Sequence, residues 1–548
     1  MTTAFPSEID TEAFQPFHRD PPDPPVTIPP AAAHGIAIYS PEAAATMTVP
    51  PKLPHIDQFF HDPAPPPSVI CPQRFPGIDP KSTDALIRTL THNHLSWHIF
   101  FNYKGFHNHA AHHLLCIWSL GANGPVIDAT YATHYEYQRP AFESPGHITH
   151  GNFRKHLGDE RYYSAYLVFF KSELLKKGLA ECLEEFVLSS SANFDNTGEH
   201  PAMLSRFTGG VFHPFIHVGY GAEFDLFGIS AEGLAMAAVH PAVHDLVDRS
   251  WFPDIISEPD RKGCTRNALT ILSLIACDPR FSKIKRIENG KILDQSLKQY
   301  GPTIREYVEM WKFDITSDVG ISDAIEELSW VNTMIYGVSG HLSSQEFRAD
   351  FFLMHLLTSS LFLPSLLPNI SKFSSRRLLL MTYFFTSLMY YVGRGRPKLD
   401  LRGFYRDTEH LLHRVPGTGT SPARGTLPDP SSDLAQTPNT WLPLIQSMVV
   451  HPNEHLCKAH RALAHYSSLY GVRRKGWAEG LSAPEGRRVS PAQLVREEEV
   501  TDKIALGELD GTLFLRVAML TQNRLGWMRE GEPQRGWDFD GFYVKGDA

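Results

Sequence analysis

The chain has 548 residues, 42% of them hydrophobic and 20% charged, the balance of a globular protein with a large buried core. A net charge of -9, with no dense Lys/Arg run, argues against nucleic acid as a main partner. Six cysteines without a C-x-x-C pair argue against thiolate zinc sites and dithiol redox chemistry, and they fit a reducing compartment.

The first residues, MTTAFPSEIDTEAF, carry neither a basic n-region nor an apolar core, so no secretory signal is read and a cytoplasmic location is expected. Residues 1–80 are proline-rich, as in Pro21-Pro22-Asp23-Pro24-Pro25 and Pro65-Pro66-Pro67, which predicts an extended or disordered extension. Within it, His55 to Phe60 is expected to dock locally. Helical patterning begins near Asp84, with Ser82-Thr83-Asp84 resembling an N-cap before Ala85 to Leu90. After a break at Gly105, a second helix is predicted from Ala110 to Leu120, with Gly121 and Gly124-Pro125 as its stop. Further helices are predicted over 163–177, 179–188, 216–227, 231–238, 292–300, 304–311, 324–336, 347–363, 376–392, 441–450 and 455–470.

The most apolar stretch, Leu378 to Val392, is about 15 residues, short of the ~20 that span a bilayer, and reads as a buried helix. Residues 414–440 are rich in Pro, Gly, Ser and Thr and read as an insertion loop. Residues 471–548 read as a charged C-terminal extension packing on the domain. Strand alternation is scarce, and neither a βαβ run nor a solenoid repeat is visible. The expected fold is therefore mainly α: one large multi-helical domain over 81–470, with a proline-rich extension and irregular loop insertions.

Histidine is the outlier, with 28 residues against 19 tyrosines. His92, His94, His98, His107, His109, His112 and His113 fall in one short stretch. Imidazole is the commonest metal ligand and a general acid or base. His94/His98, His109/His113, His213/His217 and His240/His244 are each spaced to share one helix face and aim two rings at one point. His355 stands in the apolar run Phe351 to Ser359, where an imidazole must be neutral and hydrogen-bonded, or ligated. The plain alternative for each is a satisfied core histidine or a surface coincidence; several pairs together with His355 favour one shared site. The spacing does not choose among Fe, Cu, Ni and Zn. Trp97, Phe100, Phe101, Phe106, Tyr220 and Phe224 are candidate walls for a planar substrate, or simple core packing.

Several chemistries find no motif. Gly219-Tyr220-Gly221 and Gly393-Arg394-Gly395 lack the third glycine and the strand of a dinucleotide fingerprint. A phosphate-binding glycine loop, H-E-x-x-H and paired Glu-x-x-His are absent, and no flavin or haem motif is found. Gly337-Val338-Ser339-Gly340 is not a nucleophile elbow.

Five blocks carry a family resemblance. The first is His92 to Asn102, with Gly105-Phe106-His107-Asn108-His109, His112-His113-Leu114-Leu115 and Leu120-Gly121-Ala122. His213 to Phe224 is the second, and Leu353 to Ser360 with Phe362-Leu363-Pro364 the third. Tyr391 to Pro397 and His451-Pro452-Asn453-Glu454-His455, with Lys458 and Arg461-Ala462-Leu463, complete them. Over about residues 80–470 the chain resembles the questin-oxidase-like family.

The resemblance implies oxidative, Baeyer–Villiger-like ring cleavage of anthraquinones and related polycyclic polyketides in fungal secondary metabolism. It implies O2 as co-substrate, NADPH as reductant in some members, and in others a non-haem Fe(II) held by histidines and a carboxylated lysine. Ligands are expected from His94, His98, His109, His217 and His355, with His98, His109, His217 and His355 as catalytic residues. Trp97, Phe106, Tyr220, Glu223 and Tyr383 are expected to bind substrate; NADPH-binding residues stay unassigned. The family lysine is expected near Leu380 to Phe385, where Tyr383 stands instead; the nearest lysines are Lys372 and Lys398. Two alternatives remain open: metal-free oxygenation with histidine bases, and a non-catalytic binder of an aromatic metabolite. A zinc hydrolase lacks the usual ligand spacings.

Overall fold

The computed structural model describes residues 56–195, 200–252, 266–413, 415–417, 422–429, 431–479 and 503–543. The expectations for residues 1–55, for Cys264 and for 480–502 lie outside the described residues. Among the described residues the chain is helical, and β pairing is limited to four isolated bridges.

Helix α1 (Pro80–Ser96) starts a little before its expected cap. Asp79 accepts the Ser82 N–H at 2.7 Å while Ser82 Oγ accepts the Asp79 N–H at 3.0 Å, a reciprocal cap. Next comes α2 (Ala110–Ser119). Gly124-Pro125, expected to be a stop, instead opens α3 (Gly124–Tyr135). Asn123 accepts the Val126 N–H at 3.1 Å, and a proline in a first turn lacks only a hydrogen that no helix carbonyl would receive.

Helix α4 (Tyr163–Leu183) backs a hairpin of α5 (Met203–Phe224) and α6 (Phe227–Val239). Helix α5 begins well before the expected Ile216, but it is broken in the middle. Gly210, Val211 and Phe212 have φ of 53°, 54° and 65°. Left-handed geometry costs roughly 1–2 kcal/mol per non-glycine residue, so packing must hold it; Phe212 is fully buried, its ring 4.7 Å from that of Tyr383. Pro214 falls in the first turn of the restarted segment, where it is tolerated.

Then follow α7 (Ala268–Cys277), α8 (Ile292–Val308), α9 (Asp318–Thr333), α10 (Phe351–Ser360) and α11 (Phe373–Gly393). Helix α8 is continuous through Gly301-Pro302, where the Gly-Pro pair predicts a break. Its buried face, Leu293, Leu297, Gly301, Ile304 and Val308, carries the helix past the proline and packs on α11. The last helices are α12 (Leu401–Thr408), α13 (Trp441–Met448), α14 (Glu454–Tyr470) and α15 (Leu513–Leu525). Neither α7 nor α15 was expected from periodicity.

Four helices close a ring: α2 packs on α5, α5 on α10, α10 on α14, and α14 on α2. The remaining helices lie around it, with α1 and α3 beside α2 and α15 against α14. Helix α11 is buried throughout Leu378 to Gly393, as its composition predicts. The apolar segment Phe351–Asn369 is long enough to cross a membrane by length and composition, and 89% of it is buried inside the protein.

Two outer segments lock onto this frame. Phe59 and Phe60 are buried, with the Phe60 ring 4.9 Å from that of His94. Near the C-terminus, Asp538 donates its N–H to the Ala349 carbonyl and accepts the Phe351 N–H, both at 2.9 Å. Beside this bridge Arg394 and Asp350 form an ion pair with 0% exposure on both side chains.

Candidate metal centre

Each helix of the ring delivers imidazoles to its middle. His109 is the N-cap of α2, His213 lies on α5, His355 on α10, and His455 on α14. The break in α5 positions His213: the restarted segment begins there, and His213 Nδ1 donates back to the Gly210 carbonyl. Glycine is required at that turn, because a Cβ on Gly210 would stand 2.3 Å from His240 Nε2 and 3.0 Å from His107.

One ring nitrogen from each of His109, His213 and His455 lies within 4.8 Å of the others, so these three could hold a metal ion. His355 adjoins them, its ring 4.9 Å from both His213 and His455. The opposite nitrogens are engaged outward. His355 Nδ1 donates to the Phe351 carbonyl at 2.7 Å, and His455 Nδ1 faces Glu454 at 3.1 Å. That leaves Nε2 of His355 and of His455 buried without a hydrogen-bond partner among the described residues. His109 and His213 bring their Nε2 atoms to 2.7 Å, a separation that requires one shared hydrogen or one shared cation.

Electrostatics keep these rings in the ligand form. Burial, reinforced by neighbouring positive groups, holds His109, His213 and His355 well below the usual imidazole range and His455 at about 4. Lys458, one turn after His455, is 2% exposed with no hydrogen-bond partner among the described residues. Burial lowers it to about 8, and its charge in turn depresses His109, His213, His355 and His455. No lysine stands near Tyr383; the lysine beside these histidines is Lys458 on α14. Lys372 and Lys398 are exposed and paired with Glu184 and Asp400. Tyr383 is fully buried, its hydroxyl hydrogen-bonded with Ser359 at 2.7 Å and with the Leu356 carbonyl at 2.9 Å.

A second group adjoins the first. Glu232 accepts from His94 Nδ1 and His217 Nε2, each at 2.7 Å. His217 Nδ1 faces His112 Nε2 at 3.0 Å, and His94 Nε2 faces Lys171 at 3.2 Å. Both nitrogens of His94 and of His217 are therefore engaged by protein groups.

Of the five expected ligands, His109 and His355 meet in the centre, while His94 and His217 meet at Glu232. His98 lies past the end of α1, where Arg139 Nη2 stands 2.6 Å from its Nδ1 and Phe142 stacks on its ring at 4.9 Å. His113 turns to His134 at 3.0 Å, and His244 is exposed. Trp97 donates to Tyr131 at 3.0 Å, and Phe106 is half-buried. Tyr220 stacks on His112 at 5.2 Å, and Glu223 is locked in a buried ion pair with Arg461. Two cavities, of about 510 and 300 Å³, are lined by other residues, including Arg406 and Asp407 in the larger and Pro397 in the smaller.

His94 and His98 are separated by the end of α1, His109 caps the helix that carries His113, and His213 and His217 share α5 but face the centre and Glu232 respectively. His213, His455, Lys458 and Glu232 were missed as centre residues. The spacing of His455 and Lys458, one helical turn, was the available signal for two of them.

A family profile described as questin oxidase-like matches residues 106–463, a span containing every residue of the centre. The chain is 26% identical over 399 residues to the oxidoreductase AflY of Aspergillus parasiticus, covering 70% of this chain and 73% of that protein. It is 27% identical over 299 residues to the Baeyer-Villiger oxidase ptaJ of Pestalotiopsis fici, covering 52% of this chain and 62% of the relative. It is 23% identical over 410 residues to the questin oxidase of Aspergillus terreus, covering 72% and 83%.

Proposed function

Because the chain belongs to the questin oxidase-like family, we propose that it is an oxidoreductase of fungal secondary metabolism, opening a ring of a polycyclic aromatic polyketide such as an anthraquinone with O2. The relatives named for Baeyer-Villiger and questin oxidation support the reaction class. The convergence of His109, His213 and His455 is the observation that carries the site.

The residues present fit a non-haem iron. Neutral imidazoles suit Fe among other transition metals, and each proposed ligand is oriented by an outward contact, the usual support of a metal-bound histidine. Burying an unpartnered nitrogen costs about 1–3 kcal/mol, and His355, His455 and Lys458 each carry one. We assign His109, His213, His355 and His455 as the histidine ligands, and Lys458 as the family lysine. In its amine form Lys458 can add CO2, giving a carbamate and releasing a proton; a buried cation then becomes an oxygen donor. The metal, when bound, supplies O2 activation and Lewis acidity.

The protein's own part is to orient and to exclude water. Glu454 faces Nδ1 of both His109 and His455, at 3.7 and 3.1 Å, and fixes those two rings. Phe351 packs against the rings of both His355 and His455, at 4.7 and 4.9 Å, and lends them an apolar neighbour.

The test is metal analysis of the purified protein with oxygen uptake on a panel of hydroxyanthraquinones, with and without NADPH. Iron at one equivalent, lost together with activity in His213→Ala/His455→Ala, is expected. Full activity in metal-free protein would sink the metal site and favour histidine bases, a reading the His109–His213 contact also accommodates.

A further inference from the structure

Glu232 is 2% exposed, yet both its oxygens are hydrogen-bonded by imidazoles. The position of each hydrogen in this row follows from its ends. Lys171 Nζ, 3.2 Å from His94 Nε2, can only donate, so that nitrogen carries a lone pair and the His94 hydrogen sits on Nδ1, facing Glu232. A carboxylate can only accept, so His217 bears a hydrogen on Nε2, and with one hydrogen per ring, as the inference requires, its Nδ1 is a lone pair. His112 Nε2, 3.0 Å from that lone pair, must therefore be the N–H. A neutral imidazole has one hydrogen, which leaves His112 Nδ1 as a lone pair. That atom is buried with no hydrogen-bond partner among the described residues.

This order needs an ionised Glu232 and neutral rings at His217 and His112. Burial alone would raise Glu232, but the hydrogen bonds from His217 and His94 bring it down to about 2. Burial holds His112 well below the usual imidazole range.

We infer that Glu232 is a positioning residue: acting through His217, it fixes the tautomer of His112 and keeps the Nδ1 lone pair free to accept a hydrogen bond from a phenolic hydroxyl of the substrate. The His112 ring lies 5.6 Å from that of His109, beside the proposed centre, and stacks on Tyr220 at 5.2 Å, next to Phe362. His112, Tyr220 and Phe362 are all buried, so a hydroxylated ring reaching His112 must part this aromatic packing. A buried acceptor with nothing donating to it is a cost the fold carries until such a donor arrives. The identity of the donor rests on the oxygenase reading; the tautomer order does not.

The test begins with ring nitrogen-15 NMR of the metal-free protein, with His112 and His217 assigned from H112N and H217N. Both are expected as Nε2–H tautomers, and a hydrogen on Nδ1 of either would overturn the inference. Titration with alizarin, followed by its visible band, is expected to shift that band in wild type but not in H112N or E232Q. In the metal-loaded enzyme, E232Q should lower kcat at least tenfold with metal content unchanged, and E232D should restore part of it. An unchanged alizarin shift and kcat in a folded E232Q would overturn the inference. If E232Q does not fold, the wild-type tautomers and the H112N titration decide. Absence of metal or of oxygen uptake in wild type would instead sink the oxygenase reading and leave the tautomer result standing.

Discussion

Lys458 follows His455 by three residues on α14, and both side chains enter the same buried centre from one helix face. The lysine has no hydrogen-bond partner among the described residues, although the charges of Glu454 and its neighbours act on it. Burying such an unpaired amine costs the fold stability.

Lys458→Met should therefore separate stability from metal binding. Replacing an unpaired buried amine with a thioether of similar length should stabilise the metal-free protein by about 1 kcal/mol. Iron retained after dialysis should fall by about tenfold or more. Urea unfolding and metal analysis of the same preparation check both outcomes.

His98→Asn and His213→Asn should part company. His98 is held by Arg139 and Phe142, away from the ring of four helices, so its loss should leave metal content near wild type. His213→Asn should abolish stoichiometric iron. Metal analysis of the two variants reads the difference directly.

The fold class was legible in the sequence because helical periodicity survives in long amphipathic segments such as Glu454–Tyr470. Boundaries were less legible where Gly and Pro have two meanings. Gly124-Pro125 opens a helix, while Gly301-Pro302 passes through one. The richness in histidine pointed to the right region, but i,i+4 logic assumes an unbroken helix. The left-handed turn at Gly210 to Phe212 decides where His213 points, and no spacing rule anticipates it. Lys458 stands in the last resemblance block, three residues after His455, and its place beside the histidines depends on the packing of α14 against α2 and α10.

The Asp350–Arg394 pair should behave as a buried charge pair whose halves cannot be removed singly. Asp350 also accepts the N–H groups of Phe352 and Leu353, each at 3.0 Å, at the start of α10. Asp350→Asn leaves the Arg394 charge buried and unpaired and should cost about 3–5 kcal/mol. Adding Arg394→Met should recover part of that loss. Denaturant midpoints of the two singles and the double close the cycle.

Glu327 gives a pH dependence of opposite sign to ordinary acid denaturation. Burial raises its carboxyl to about 7, although the Ala268 N–H and Trp311 Nε1–H donate to it at 2.7 and 2.8 Å. Its folded value lies above the unfolded one of about 4.5, so between these values the native state binds more protons than the unfolded state. Its contribution is fully present below about pH 4.5 and is lost as pH rises through about 7. Glu327→Gln should flatten this slope in thermal melts taken from about pH 4 to 8, ~four units that bracket the change.

The four proposed histidine ligands come from segments spread between His109 and His455, and the bridge that steadies α10 waits for Asp538. A chain emerging from the ribosome therefore holds no complete centre until almost all of it has been made. Contacts so distant along the chain form slowly, after local helices. An iron held there, as proposed, would be acquired by a nearly finished fold and would not nucleate it.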